Sequence, residues 1–163
     1  MNKFLCSLVF VLSFFSIHAQ SQNSHEEYKN LVQKVDSLEH ELSYLKLTYG
    51  LNTLKSDMEM FSKDIDTKSI EIQLKLYNRD FNPELGDLYQ QYYKKCQRHK
   101  KVISEAIEAQ KILYTFKVMT YPYSESELKA LKISYDLINS TFESLEVSMD
   151  VLKATIDLYN ESL

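Results

Sequence analysis

The chain has 163 residues, 26% of them charged, with a net charge of −4 and only two glycines, two prolines and two cysteines. That length suits one ordinary domain. The acidic balance gives no overall attraction to nucleic acid or anionic membranes, and so few turn formers exclude a strand-rich fold with its many reversals.

The N-terminus reads MNKFLCSLVFVLSFFSIHAQSQ. Phe4 to Ile17 is an apolar run behind a single basic residue, Lys3. It is shorter than the ~20 residues a spanning helix needs, and it has the proportions of a signal-peptide core. Ala19 supplies the small residue for a cut. Residues 1–19 are therefore expected to be a signal peptide, and the mature protein to be exported to the periplasm or the extracellular space. Retention as an N-terminal anchor is the competing reading. Cys6 leaves with the signal, so Cys96 is the one thiol of the mature chain and no internal disulfide is available.

Long helices are expected over about residues 24–78, 83–119 and 124–161, giving an all-α fold, an antiparallel bundle of three long helices. The first helical region carries two seams at steps of three and four. Tyr28, Leu31, Val35, Leu38, Leu42, Leu45 and Tyr49 form the first; Leu51, Leu54, Met58, Phe61, Ile65, Ile72 and Leu76 form the second. At 100° per residue the two point roughly opposite ways. The switch falls at Gly50, and two readings fit it equally well: a joint or kink, since glycine costs about 1 kcal/mol inside a helix, or a straight helix that changes partners there. Residues 20–50 are accordingly read as a coiled-coil arm and 51–163 as the helical bundle. IEIQLKLY, residues 70–77, alternates like a strand but is expected as helix buried on two sides.

Asn82-Pro83-Glu84 is a helix start: a capping residue, proline at the first position, and an acid in the first turn. Tyr121-Pro122-Tyr123 is a stop, and Ser124 with Glu127 makes a capping box for the third helix. Along that helix Leu128, Leu131, Tyr135, Ile138, Phe142, Leu145, Met149, Leu152, Ile156, Tyr159 and Leu163 keep heptad spacing. A stripe of small hydroxyls (Ser134, Thr141, Ser148, Thr155, Ser162) runs beside them, and beyond it Ala130, Leu137, Ser144, Val151 and Leu158. The three stripes merge into a wide arc that two neighbouring helices are expected to cover.

The second helix holds the densest chemistry, KKCQRHKK at residues 94–101. Cys96 and His99 fall on its apolar stripe, with Leu85, Leu88, Tyr92, Ile103, Ala106, Ile107 and Tyr114. They read as a buried thiol beside a histidine whose nitrogens find partners. Lys94, Arg98 and Lys101 lie on the opposite side, flanked by Lys95 and Lys100. Lys94, Lys95, Arg98 and Lys101 are the candidate residues for an anion or an acidic partner; the bland reading is a solvated face pairing with Asp57, Glu59 or Asp64. No nucleophile elbow, phosphate loop or zinc signature is present in the sequence. A non-enzymatic scaffold or adaptor is expected, with no cofactor and no metal. It would act through protein contacts or self-association along the Tyr28–Tyr49 seam, with no nucleic-acid partner. The alternative is a chaperone-like or envelope-surface binding module using the basic face, with a membrane surface as a weaker partner class.

Overall fold

The computed structural model describes the backbone of residues 2–163 and the side chains of residues 25–163. Three helices follow in chain order: α1, Asn2–Tyr77; α2, Pro83–Thr120; and α3, Glu125–Glu161. No strand occurs among the described residues, so residues 70–77 are helical. They bury one side and not two: Ile72 and Leu76 pack inward while Ile70, Leu74 and Tyr77 are exposed. The expected signal peptide over 1–19, its cut after Ala19, and Cys6 fall outside the described side chains.

The chain divides into two units, Met1–Ser43 and Tyr44–Leu163. In the first, Tyr28, Leu31, Val35, Leu38 and Leu42 are exposed, and Ser43 is buried. The second holds the core described next.

The helix boundaries follow local chemistry. α1 ends in a Schellman arrangement: Asp80 N–H donates to the Lys75 carbonyl and Arg79 N–H to that of Leu76, with Arg79 left-handed at φ 55°. Asn82 caps α2, its Oδ1 accepting from Glu84 N–H at 2.9 Å, and Pro83 occupies the first helical position. Ser124 caps α3 through the reciprocal box with Glu127. Both starts thus use the residues the sequence singles out.

α1 supplies Leu47, Leu51, Leu54, Met58, Ile65 and Ile72 to the core; α2 supplies Tyr89, Cys96 and Ile103; α3 supplies Leu131, Ile138, Leu145, Met149, Leu152, Ile156 and Tyr159. Contacts fix the directions. Going down α1 from Gly50 through Phe61 and Lys68 to Glu71, the partners on α2 are Gln110, His99, Tyr92 and Tyr89, so these helices are antiparallel. Tyr114 meets Tyr135, Lys100 meets Glu146, and Tyr89 meets Tyr159, so α2 and α3 are antiparallel too. α1 and α3 therefore run parallel. They touch through small residues, with Ser62 Oγ 2.9 Å from Ser148 Oγ. Of the hydroxyl stripe of α3, Ser148 sits at this approach and Thr155 is buried, while Ser162 is exposed.

Two sequence readings are resolved. Of a joint and a straight helix at Gly50, the straight helix holds: α1 is unbroken there and Gly50 has no positive φ. The missing side chain there makes room for Gln110, whose Nε2 lies 2.8 Å from where a Cβ would stand. Glycine serves close packing at this position, and no kink. Second, the buried arc of α3 is narrower than expected. The heptad seam from Leu131 to Tyr159 and the middle of the hydroxyl stripe face the other helices, but Leu137, Val151 and Leu158 on the outer stripe stay exposed. A three-helix bundle offers α3 two neighbours, and those two leave the outer stripe uncovered.

Candidate functional site

Two surfaces carry the residues the sequence nominates, and each can be built from its helix. On α2 the segment 94–101 spans about two turns, so its side chains divide by face. Cys96 points into the core and is 2% exposed. Burial pushes its thiol upward, only partly opposed by the Tyr92 hydroxyl that donates to it. A thiol held protonated is a poor nucleophile and a poor metal ligand. His99 does not join Cys96 in the interior. It is exposed, and its ring meets Phe61 edge-on with centroids 4.4 Å apart. The apolar stripe on α2 is rotated from its expected line: Tyr89 is buried where Leu88 was expected, and Leu88 is exposed. That rotation carries His99 to the rim of the core.

At this rim His99 borders an open groove between α1 and α2, lined also by Asp57, Asp64, Met60, Phe61 and Val102. Nothing in the spacing of residues links these two carboxylates to His99, because only the antiparallel packing of α1 on α2 places them along one groove. Among the described residues no cluster of three potential metal ligands forms.

The opposite side of α2 presents Lys94, Lys95, Arg98 and Lys101 to solvent. Lys101 approaches Glu105 of its own helix at 3.8 Å. Lys94, Lys95 and Arg98 meet no carboxylate among the described residues. The acids expected to neutralise this face are engaged elsewhere: Glu59 pairs with Lys55 at 2.6 Å, and Asp57 and Asp64 line the groove. Lys100 separates from the cluster. Its ammonium reaches Glu146 on α3 at 2.7 Å and lies 5.7 Å from the Phe142 ring centroid, a helix-to-helix tie. The remaining four cations form a solvated patch with charge to spare.

The second surface is the Tyr28–Tyr49 seam of α1. All seven of its residues are between 47% and 73% exposed. Leu47, which belongs to neither expected seam, is the buried residue in this stretch of the second unit, together with Leu51 and Leu54 beyond it. An apolar line at heptad spacing that none of the described residues covers is unusual on a helix in water.

Comparisons of the chain with protein-family models, with curated proteins and with solved structures return no match. Among the described residues no helix is long and apolar enough to cross a membrane.

Proposed function

We propose that the protein is an exported, non-enzymatic helical scaffold or adaptor that works through protein contacts and associates with itself along an N-terminal coiled-coil arm. One observation supports this reading most: the seven seam residues of α1 keep heptad spacing over three heptads yet are all exposed. Leaving several leucines in water forgoes roughly 1.5–3 kcal/mol for each side chain that burial would gain. A second helix laid along the line recovers much of that.

The test uses the full mature chain with Leu31→Glu and Leu38→Glu together. Both side chains are exposed in the single chain, so the far-ultraviolet circular dichroism should not change. Light scattering should then give half the molar mass of the parent. Equal masses for parent and variant would end the proposal.

The unneutralised cations of α2 favour a second reading, a binding module for an anionic envelope surface or for exported chains with acidic segments. Salt-sensitive binding to vesicles containing anionic lipid, abolished by Lys94→Glu, Arg98→Glu and Lys101→Glu together, is its expected result. Vesicle binding that survives the triple reversal would remove the basic face from consideration.

A further inference from the structure

The charges that border the α1 seam carry the argument further. With Tyr28, Val35, Leu42 and Tyr49 at the a positions and Leu31, Leu38 and Leu45 at d, the flanking g positions are Glu27, Lys34, Glu41 and Thr48, and the e positions are Val32, Glu39 and Lys46. Lys34, Glu39, Glu41 and Lys46 are all exposed, and none is paired with an opposite charge among the described residues.

In two parallel helices in register, each g residue faces the e residue five positions on in the other helix. Lys34 then faces Glu39 of the second copy, and Glu41 faces its Lys46. By symmetry each contact occurs twice, so the pair has four attractive contacts and no like-charge contact. Antiparallel helices bring g against g and e against e. Lys34 meets Glu41 in one of the two registers that overlap most of the seam; in the other Glu41 meets Glu41 and Lys34 meets Thr48. In the registers that overlap most of the seam, Glu39 meets Val32 or another Glu39, and Lys46 loses its acid. The core positions agree with a parallel pair: leucine at every d and a β-branched valine among the a positions favour two strands.

We infer that the partner of this seam is a second copy of the same chain, aligned parallel and in register as a two-stranded coiled coil over Tyr28–Tyr49, with Lys34–Glu39 and Glu41–Lys46 contacts between copies setting the orientation. This rests on the self-association proposed above and adds its geometry.

Two variants of the full mature chain test it, each with unchanged net charge. One exchanges the g charges, Lys34→Glu with Glu41→Lys. The other exchanges the e charges, Glu39→Lys with Lys46→Glu. In a parallel pair either variant alone turns all four contacts repulsive, and its dimer dissociation constant should rise about tenfold or more at low salt. Mixed one to one, the two variants restore all four attractions, and a heterodimer with parental affinity should form in analytical ultracentrifugation. In an antiparallel pair either exchange leaves the balance of like and opposite charges across the seam as it was, so variants that dimerise as well as the parent overturn the inferred orientation while self-association stands. A mixture that stays monomeric overturns it as well. A parent chain that is monomeric at every concentration removes the underlying reading instead.

Discussion

Tyr159, near the end of α3, accepts a hydrogen bond from the backbone N–H of Asn82 at 3.0 Å, while its own hydroxyl donates to the Asp80 carbonyl at 3.0 Å. The ring is wholly buried, edge-on to Tyr89 with centroids 5.2 Å apart. One side chain thus satisfies backbone groups of the turn between α1 and α2 and also fills the end of the core. Tyr159→Phe keeps the ring and leaves the part-buried Asn82 N–H and Asp80 carbonyl without this partner. It should cost about 1–3 kcal/mol in urea unfolding, with little change in helix content. A variant as stable as the parent would show that the turn is held by its own bonds.

Arg79 occupies the left-handed position that ends α1, with φ 55°. Side chains other than glycine pay a steric penalty of about 1 kcal/mol there. Arg79→Gly should therefore raise stability by about 0.5–1 kcal/mol, read from the urea midpoint at constant slope. A loss would mean that the arginine makes a contact worth more than the backbone strain.

Tyr135 buries its hydroxyl with no hydrogen-bond partner among the described residues, and burial, then the neighbouring Tyr114 and Glu108, push it up from 10.0 to about 12. Burial also raises Tyr89 and Cys96. These groups bind their protons more tightly folded than unfolded. Their contribution is complete below the unfolded values of 9.0 for the thiol and 10.0 for the phenols, and is lost as pH rises through the folded ones. The urea midpoint should hold level up to about pH 9 and fall above it. Tyr135→Phe should make that fall shallower. It should also add about 1 kcal/mol at neutral pH by removing an unsatisfied polar atom. An unchanged alkaline slope would place the titration elsewhere.

Cys96 should be inert to a thiol reagent in the folded protein and react fully in denaturant, because it is both enclosed and held protonated. Cys96→Ala should cost about 1 kcal/mol through lost packing and should not alter the oligomeric mass. Rapid labelling under native conditions would contradict the closed core on this face.

The periodic parts of the molecule were the legible ones. Steps of three and four on α3 identified Leu131, Ile138, Leu145, Leu152 and Ile156 as core, and all are buried. Asn82, Pro83 and Ser124 marked helix starts because capping is a local interaction that needs no knowledge of the fold. What periodicity could not supply was phase where two faces compete. Leu88 and Tyr89 are adjacent and both apolar, so the pattern allowed either inward; the packing of Tyr89 between Glu71 and Tyr159 chose the second. The same ambiguity put His99 inside. At Gly50 the pattern allows a joint or a straight helix alike, and the value of the glycine lies in the side chain it lacks, which only the position of Gln110 reveals. Lys94, Lys95, Arg98 and Lys101 face solvent on α2, but where α1 places its acids relative to them is not legible in the sequence.

The short connections at residues 78–82 and 121–124 have a kinetic consequence. Each reverses the chain at once, so α1 meets α2, and α2 meets α3, by zipping from a tight turn with little entropy lost to loop closure. Only the parallel face, where Ser62 approaches Ser148, must wait for distant segments to come together. Refolding from denaturant should accordingly finish within about a millisecond, as in other helical proteins of low contact order.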